Sequence, residues 1–326
     1  NAAVQQTYAA TSLVNGLDIS GSLKTENVHN PANHSHIVGT VAFADAATAT
    51  QAIDVALTAA EKWRNTPAVE RASCLKKIAD LYEENAATLM MLAVREAGKT
   101  LNNAVAEVRE AVDFCRYYAA EAVNTLPENT KGRGVMVAIS PWNFPLAIFT
   151  GEVVAALASG NTVVAKPAEQ TSLIAHFAVK LMHQAGVPTD ALNLILGAGD
   201  VGATLTQDMR ISGVIFTGST EVARLINQTL AKRDDNPVLI AETGGQNAMI
   251  VDSSALPEQV VADVLNSAFD SAGQRCSALR VLCVQEEVAD RLIGMIKGAM
   301  NELCVGNPCE LATDVGAVID AEAQSN

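Results

Sequence analysis

Between residues 45 and 124 the apolar positions return at three- and four-residue steps. Ile78, Leu81, Leu89 and Leu92 form one such set, and Val105, Val108, Val112 and Cys115 another. This spacing lines up each set along one face of a helix. Asp45 is placed to cap a first helix reaching about Asn65, Pro67 opens a second reaching about Gly98, and a third covers about Asn102 to Asn124. Ahead of them a polar lead-in gives way to Glu26–Pro31 and His36–Phe43, which read as two short strands around a turn.

From Gly134 the period changes. Short β-branched runs at Val135–Ile139, Thr162–Ala165, Leu192–Leu196, Gly213–Phe216, Val238–Ala241, Ala248–Val251 and Arg280–Val284 alternate with helix-like stretches at Thr171–Gln184, Val201–Thr206, Glu221–Leu230, Glu258–Ser271 and Glu287–Leu303. Such alternation predicts an α/β fold in which parallel strands are joined by right-handed helical crossovers. Ligands of these sheets sit beyond the carboxyl ends of the strands, which gives the segments just after the strands priority in a search for function.

Composition narrows the partners. The chain has 326 residues, 49% hydrophobic and 18% charged, enough for a buried core in one large or two medium domains. A net charge of −14 repels phosphate backbones, so nucleic acid is not an expected partner. No stretch approaches the roughly 20 uninterrupted apolar residues of a membrane span. The six cysteines form no CxxC pair and no zinc-like cluster, and the five histidines are scattered, so no metal is expected. Reduced thiols and a cytoplasmic location fit this pattern, with the parent polypeptide able to be membrane-peripheral. The chain lacks an initial methionine and ends soon after an apolar strand-like run, so it is expected to be a piece of a longer polypeptide.

Two segments are candidates for a phosphate-binding turn. Gly197-Ala198-Gly199-Asp200-Val201-Gly202 matches GxGxxG but is equally well an ordinary tight turn. Phe216-Thr217-Gly218-Ser219-Thr220 is the better candidate, because a strand runs directly into a helix whose first N–H groups and Ser219 hydroxyl can face a pyrophosphate. An ordinary serine helix cap is the alternative reading.

Five segments, in this order, carry a resemblance that runs from about Asn27 through nearly the whole chain: Pro141-Trp142-Asn143-Phe144-Pro145, Lys166-Pro167-Ala168-Glu169, Phe216 to Val222, Glu242-Thr243-Gly244-Gly245-Gln246-Asn247 and Gly273-Gln274-Arg275-Cys276. They resemble the aldehyde dehydrogenase superfamily. The resemblance implies a Rossmann-type parallel sheet preceded by a helical segment, together spanning residues 1–244. Residues 245–326 would then be the first part of a second α/β domain, the catalytic one. It further implies NAD as cofactor, with Pro141, Trp142, Lys166, Glu169, Gly218, Ser219 and Gly244 at its site, and it demotes the glycine triplet. Lys166 and Glu169 would grip the adenosine ribose, where a carboxylate accepts from the 2′-hydroxyl and repels a 2′-phosphate, favouring NAD over NADP.

The family chemistry has a physical logic. An aldehyde carries no leaving group, so a nucleophile must make the carbon tetrahedral before hydride can depart, and a thiolate leaves a thioester still open to water. By resemblance Cys276 is that nucleophile. Asn143 is the amide that stabilises the oxyanion together with the Cys276 N–H, and Glu242 is the base that activates water. Taken singly, these would be a buried cysteine, a turn asparagine and a strand-end acid. Relatives that pass the acyl group to coenzyme A lack a glutamate at this place, so Glu242 points to a free acid as product.

Finer matches around Pro141–Gly151, Asn161–Gln170, Ala241–Asn247 and Ser271–Arg280 look like the Δ1-pyrroline-5-carboxylate dehydrogenase module of bifunctional proline utilisation A proteins. That implies L-glutamate γ-semialdehyde as substrate and an upstream flavin-dependent proline dehydrogenase module in the same polypeptide. It also implies a homo-oligomeric full-length protein. Arg275 and Ser277 flank the nucleophile and are expected to contact substrate, or else to pack or cap. The family's second ribose-binding glutamate and its carboxylate-anchoring loop do not occur before Asn326, so the isolated chain is expected to be inactive. The competing expectations are another NAD-dependent semialdehyde dehydrogenase, for instance one acting on succinate semialdehyde, and a catalytically silent structural piece. Cys74 and Cys115 fall in the helical region, Cys115 on a core stripe, and with Cys283, Cys304 and Cys309 they are expected to be structural.

Overall fold

A computed structural model describes residues 7–19, 24–127 and 130–325. The expected polar lead-in is in fact ordered over three short strands, β1 (Tyr8–Ala10), β2 (Ser12–Val14) and β3 (Leu17–Ile19). Ser12, Leu13 and Val14 are all buried, although three residues are too few to give a readable period. The hairpin expected next is present as β4 (Thr25–Asn30) and β5 (Asn33–Ala42), which pair antiparallel, and β1 adds in parallel to β5.

Helix α1 (Ala46–Asn65) begins as expected, with Asp45 Oδ1 accepting from the Thr48 N–H at 2.8 Å. The single helix expected from Pro67 to Gly98 is two, α2 (Ala68–Glu84) and α3 (Ala86–Ala97). Asn85 breaks it: its backbone sits at φ −103°, ψ 14°, and its side-chain amide donates to the Leu81 carbonyl at 2.8 Å. A side chain that competes for a backbone acceptor in this way ends helices. Helix α4 (Leu101–Asn124) follows, capped by Thr100.

The main sheet is built from β6 (Val135–Ile139), β7 (Thr162–Lys166), β8 (Leu192–Leu194), β9 (Gly213–Gly218) and β10 (Val238–Thr243). These alternate with α5 (Ala147–Ala158), α6 (Ser172–Gln184), α7 (Gly199–Gln207) and α8 (Thr220–Leu230). Strand order is β10-β9-β6-β7-β8-β2-β3, the first five parallel and the last two antiparallel. The sheet is therefore not complete within residues 135–241, because the N-terminal strands extend it. Helix α5 escapes a periodicity search for a physical reason: ten of its twelve residues are buried, so it has no polar face.

Both faces of the sheet are covered, and the period of two shows which residue serves which face. Val135, Val137 and Val164 join a core with Ile53 of α1 and Leu205 of α7. Met136, Ala138, Val163 and Ala165 join a larger one with Ile78 of α2, Val108 of α4, Phe149 of α5 and Ile174 of α6. Chain order reverses between β6 and β9: from β6 the chain winds outward through β7 and β8, then returns to the opposite side of β6. That reversal opens a crevice at the carboxyl ends of β6 and β9.

Past β10 a second α/β unit starts: β11 (Asn247–Val251), α9 (Pro257–Phe269) and β12 (Leu279–Val284), with β11 and β12 parallel in a sheet of their own. Helix α10 (Glu286–Glu302) packs on it, giving a third core of Val251, Val260, Val264, Leu279 and Leu292. The link between β10 and β11 holds residues 244 to 246. The apolar run before the end is not a strand; it makes one bridge, Val305 to Val315, and is followed by the short helix α11 (Ala321–Ser325). Among the described residues no helix is long and apolar enough to cross a membrane.

Candidate active site

Four strands end in register at the crevice. Ile139 of β6 pairs with Lys166 of β7 on one side and with Phe216 of β9 on the other, and Phe216 pairs with Ala241 of β10. The residues following this row are those singled out by motif: Pro141–Pro145 after β6, Lys166 to Glu169 at β7, Gly218 and Ser219 at β9, and Glu242 at β10.

Cys276 comes from the second unit. It lies in a turn between a 3-10 segment, Asp270–Gly273, and β12. Ser271, Ala272 and Gly273 are consecutive left-handed residues, at φ 55°, 55° and 69°. Left-handed backbone is disfavoured for residues with a Cβ, so neighbours must hold this turn. Asn247 does so at one side, its Nδ2 donating to the carbonyls of Cys276 at 2.7 Å and Ala278 at 3.0 Å. Asn143 does so at the other, its Nδ2 donating to the Gln274 carbonyl at 2.9 Å. The thiol is exposed. It is not at the amino end of a helix, so no helix dipole acts on it.

Glu242 is exposed at the end of β10, opposite Thr217 of β9. Gly244, two residues on, has open space where a Cβ would stand. Beneath this corner Glu152 of α5 is fully buried, and burial pushes its carboxyl up to about 8 despite hydrogen bonds with the Ser140 and Thr217 hydroxyls. The Ser140 hydroxyl lies 2.6 Å from Glu152 Oε2.

Toward β8 the site turns cationic. Lys166 has a side chain only 5% exposed, with Nζ 3.1 Å from the Pro167 carbonyl and 4.0 Å from Glu169 Oε2. Burial lowers its pKa, against the pull of Glu169 and Asp200. Its stem runs past Gly202, where a Cβ would stand 3.7 Å from Lys166 Cδ and Cε. Ser219 caps α8, Oγ accepting from the Val222 N–H at 3.2 Å, so the ordinary cap is realised and its hydroxyl proton can still donate outward. Gly218 has no room for a side chain, because a Cβ would lie 2.5 Å from the Phe216 ring. A buried lysine, a helix amino end and side-chain-free glycines along one crevice fit an anionic dinucleotide.

Residues 19–326 match the family described as "Aldehyde dehydrogenase family". The chain belongs to the aldehyde dehydrogenase family. It is 58% identical over 305 residues to "Bifunctional protein PutA" of Klebsiella aerogenes, which covers 92% of this chain and 23% of that protein. It is 37% identical over 312 residues to "1-pyrroline-5-carboxylate dehydrogenase" of Anoxybacillus flavithermus, covering 90% of this chain and 61% of that one. The crystal structure of proline utilization A from Bdellovibrio bacteriovorus superposes with a TM-score of 0.94 at 33% identity, over 99% of this chain and 36% of that chain. The chain thus spans about a quarter of the length of the PutA relatives.

Not every expected site residue points into the crevice. Arg275 turns away: Nη2 donates to the carbonyls of Asn266 at 2.7 Å and Ser267 at 3.0 Å, and Nη1 lies 3.3 Å from Asp270. It caps the carboxyl end of α9, the packing alternative to a substrate contact. Ser277 is exposed beside Cys276. Cys115 is buried and Cys74 half-buried, whereas Cys283, Cys304 and Cys309 are exposed, so packing does not account for those three. Sequence reasoning also missed Asn247, although it stands at the end of a segment already singled out, and Lys99 and Glu107, which no motif marks.

Proposed function

We propose that this chain contributes the nucleophile, the water-activating base and the NAD site to the NAD-dependent oxidation of an aldehyde to its free acid in the whole polypeptide, with L-glutamate γ-semialdehyde as substrate and glutamate as product. The observation that carries the reading is the bond from Asn143 to Gln274, which sets an amide donor two residues from the Cys276 nucleophile. The relatives' names support the substrate: one is a 1-pyrroline-5-carboxylate dehydrogenase.

Cys276 as thiolate attacks the aldehyde carbon, forming a C–S bond and moving the carbonyl electron pair onto oxygen. The second Nδ2 hydrogen of Asn143 and the Cys276 N–H meet that oxyanion. NAD, when bound, supplies the acceptor for the hydride. Lys166 and Glu169 would hold its ribose, and Gly218, Ser219 and the first N–H groups of α8 its pyrophosphate, with Pro141, Trp142 and Gly244 lining the path. Glu242 takes a proton from water, the hydroxide attacks the thioester, and the thiolate leaves with the electron pair of the C–S bond. Glu169 opposes a 2′-phosphate and so favours NAD over NADP. In the whole polypeptide, a flavin-dependent proline dehydrogenase module would supply the substrate, and the assembly would be a homo-oligomer.

The test is NADH formation from glutamate γ-semialdehyde and from succinate semialdehyde, with mass analysis of Cys276 in reaction intermediates. Acylated Cys276 and a clear preference for the glutamate precursor are expected. Oxidation confined to succinate semialdehyde would overturn the substrate, and turnover by Cys276→Ala would overturn the chemistry.

A further inference from the structure

Lys99 stands in none of the motifs above, yet its side chain is only 4% exposed. Local structure puts it there. Gly98 ends α3 in the left-handed region at φ 67°, the Lys99 N–H reaches back to the Ala93 carbonyl at 3.3 Å, and Thr100 at once starts α4. With both neighbours fixed by helix ends, the side chain runs inward beneath the crevice.

Its ammonium meets three groups on three different segments. Nζ donates to Ser271 Oγ at 3.0 Å, lies 3.7 Å from Glu107 Oε1, and sits 4.6 Å from the centroid of the Phe144 ring. Ser271 is the first left-handed residue of the turn that leads into Cys276, and Phe144 directly follows Asn143. Glu107, through its other oxygen, accepts the N–H groups of Leu146 at 3.1 Å and Ala147 at 2.9 Å, fixing the start of α5. A parallel tie runs from Asn103 Nδ2 to Asp270 Oδ1 at 2.6 Å.

We propose that Lys99 is a positioning residue: it clamps the Asn143 loop of the first unit to the Cys276 turn of the second, setting their spacing without touching substrate. The catalytic meaning of the clamp rests on the function proposed above. Reacting groups displaced by about 1 Å can lose on the order of 10²-fold in rate, and these two groups come from separately built units. A turn with two non-glycine left-handed residues has little preference of its own for this shape. A buried cation bonded to its first residue supplies one. Burial weakens Lys99's hold on its proton, but the carboxylates of Glu107 and Asp270 favour the charged form.

Hydrogen exchange at the Gln274 and Ala278 amides, both donors within the turn, tests the clamp directly. Ser271→Ala removes one bond, leaves the Lys99–Glu107 pair intact, and puts alanine where neighbouring Ala272 already adopts the same φ. It and Lys99→Met are each expected to speed exchange at both amides by about tenfold, with no further gain in the double variant, because they delete one shared interaction. Labelling of Cys74 and Cys115 should stay as in the parent. Unchanged exchange, multiplicative effects, or faster exchange only alongside exposure of Cys115 would each overturn the clamp. Should Lys99→Met unfold, Lys99→Met with Glu107→Gln removes both charges together and takes its place. A second arm measures catalysis in the whole polypeptide: kcat is expected to fall about tenfold or more with NAD affinity unchanged. Loose amides with unchanged kcat would overturn the positioning role. A parent without activity would defeat the proposed function while the exchange arm still judges the clamp.

Discussion

Asn143 and Gln274, 131 residues apart, are joined by one hydrogen bond of 2.9 Å that bridges two separately cored α/β units. The bond links the loop after β6 to the turn bearing Cys276, so this asparagine is a strut and, in the reaction proposed above, also an oxyanion donor. Asn143→Ala removes both functions. Loss of one oxyanion donor lowers kcat by about 10²–10³-fold, and that is the expected minimum here. Stopped-flow and steady-state NADH formation check it; a fall in kcat below tenfold would remove Asn143 from the oxyanion site.

Glu242 and Cys276 should separate in time. In the proposed reaction acylation and hydride loss precede the step that needs a base, so Glu242→Gln in the whole polypeptide is expected to give a burst of NADH followed by turnover slowed about 10²-fold or more. Cys276→Ala should give no burst. A Glu242→Gln protein without a burst would place the glutamate in the first half of the reaction.

Glu169 should discriminate between cofactors. Its side chain is 45% exposed and lies 4.0 Å from the Lys166 ammonium, so replacing it by glutamine removes the negative charge but keeps the shape. Calorimetric titration is expected to show NADP binding strengthened relative to NAD by about tenfold, since a carboxylate beside the ribose rejects a 2′-phosphate. An unchanged ratio would assign the preference elsewhere.

The strand–helix alternation after Gly134 was legible because its strands are short β-branched runs, buried on both faces in β6, β7 and β8, and the turns between them are polar. The order of the strands followed directly, but their ends did not: β7, β9 and β10 run one or two residues past the expected limit, to Lys166, Gly218 and Thr243, and β8 stops two residues short, at Leu194. Three further features were not legible. Helix α5 has no polar side, β2 is three residues long, and the break at Asn85 depends on one side-chain amide finding the Leu81 carbonyl. The site divides in the same way. Cys276, Asn143 and Glu242 sit in recognisable segments, whereas Lys99, Glu107 and Ser271 meet only through tertiary packing, and no local pattern announces a buried ion pair.

The six thiols should react in an order set by exposure and ionisation. Burial pushes Cys115 up to about 12 from the usual 9.0, which cuts its thiolate fraction near neutral pH by about 10³-fold. Brief iodoacetamide treatment with peptide mapping should label the exposed Cys276, Cys283 and Cys304 first, Cys309 after them because burial raises its pKa, and Cys115 last. Bound NAD should change the rate only at Cys276. Early labelling of Cys115 in folded protein would contradict the packing of α4 against α2 and α5.

Glu152 makes stability fall as pH rises from about 4.5 to 8. Its carboxyl is fully buried and pushed up to about 8 from 4.5, chiefly by burial. Its Oε1 has no hydrogen-bond partner, whereas Oε2 meets the Ser140 hydroxyl. A proton on Oε1 suits this setting better than a charge. Below pH 4.5 the folded and unfolded chains both hold that proton, and the stabilising contribution is fully present. As pH rises from there toward 8 the unfolded chain releases the proton while the folded chain keeps it, and each unit costs up to about 1.4 kcal/mol. Above 8 the folded chain releases it too, and the loss levels off. Glu152→Gln keeps the shape of the neutral acid and a partner for Ser140, and it cannot ionise. Between pH 5 and 8 the parent should therefore lose at most about 4 kcal/mol that the variant retains, a difference of several degrees in Tm. Every other group titrates alike in both proteins, so the difference between their Tm–pH curves isolates this carboxyl. Parallel curves would mean that Glu152 is ionised at neutral pH in the folded chain, and that the corner beneath Thr217 and Ser140 is wetter or more polar than its side chains imply.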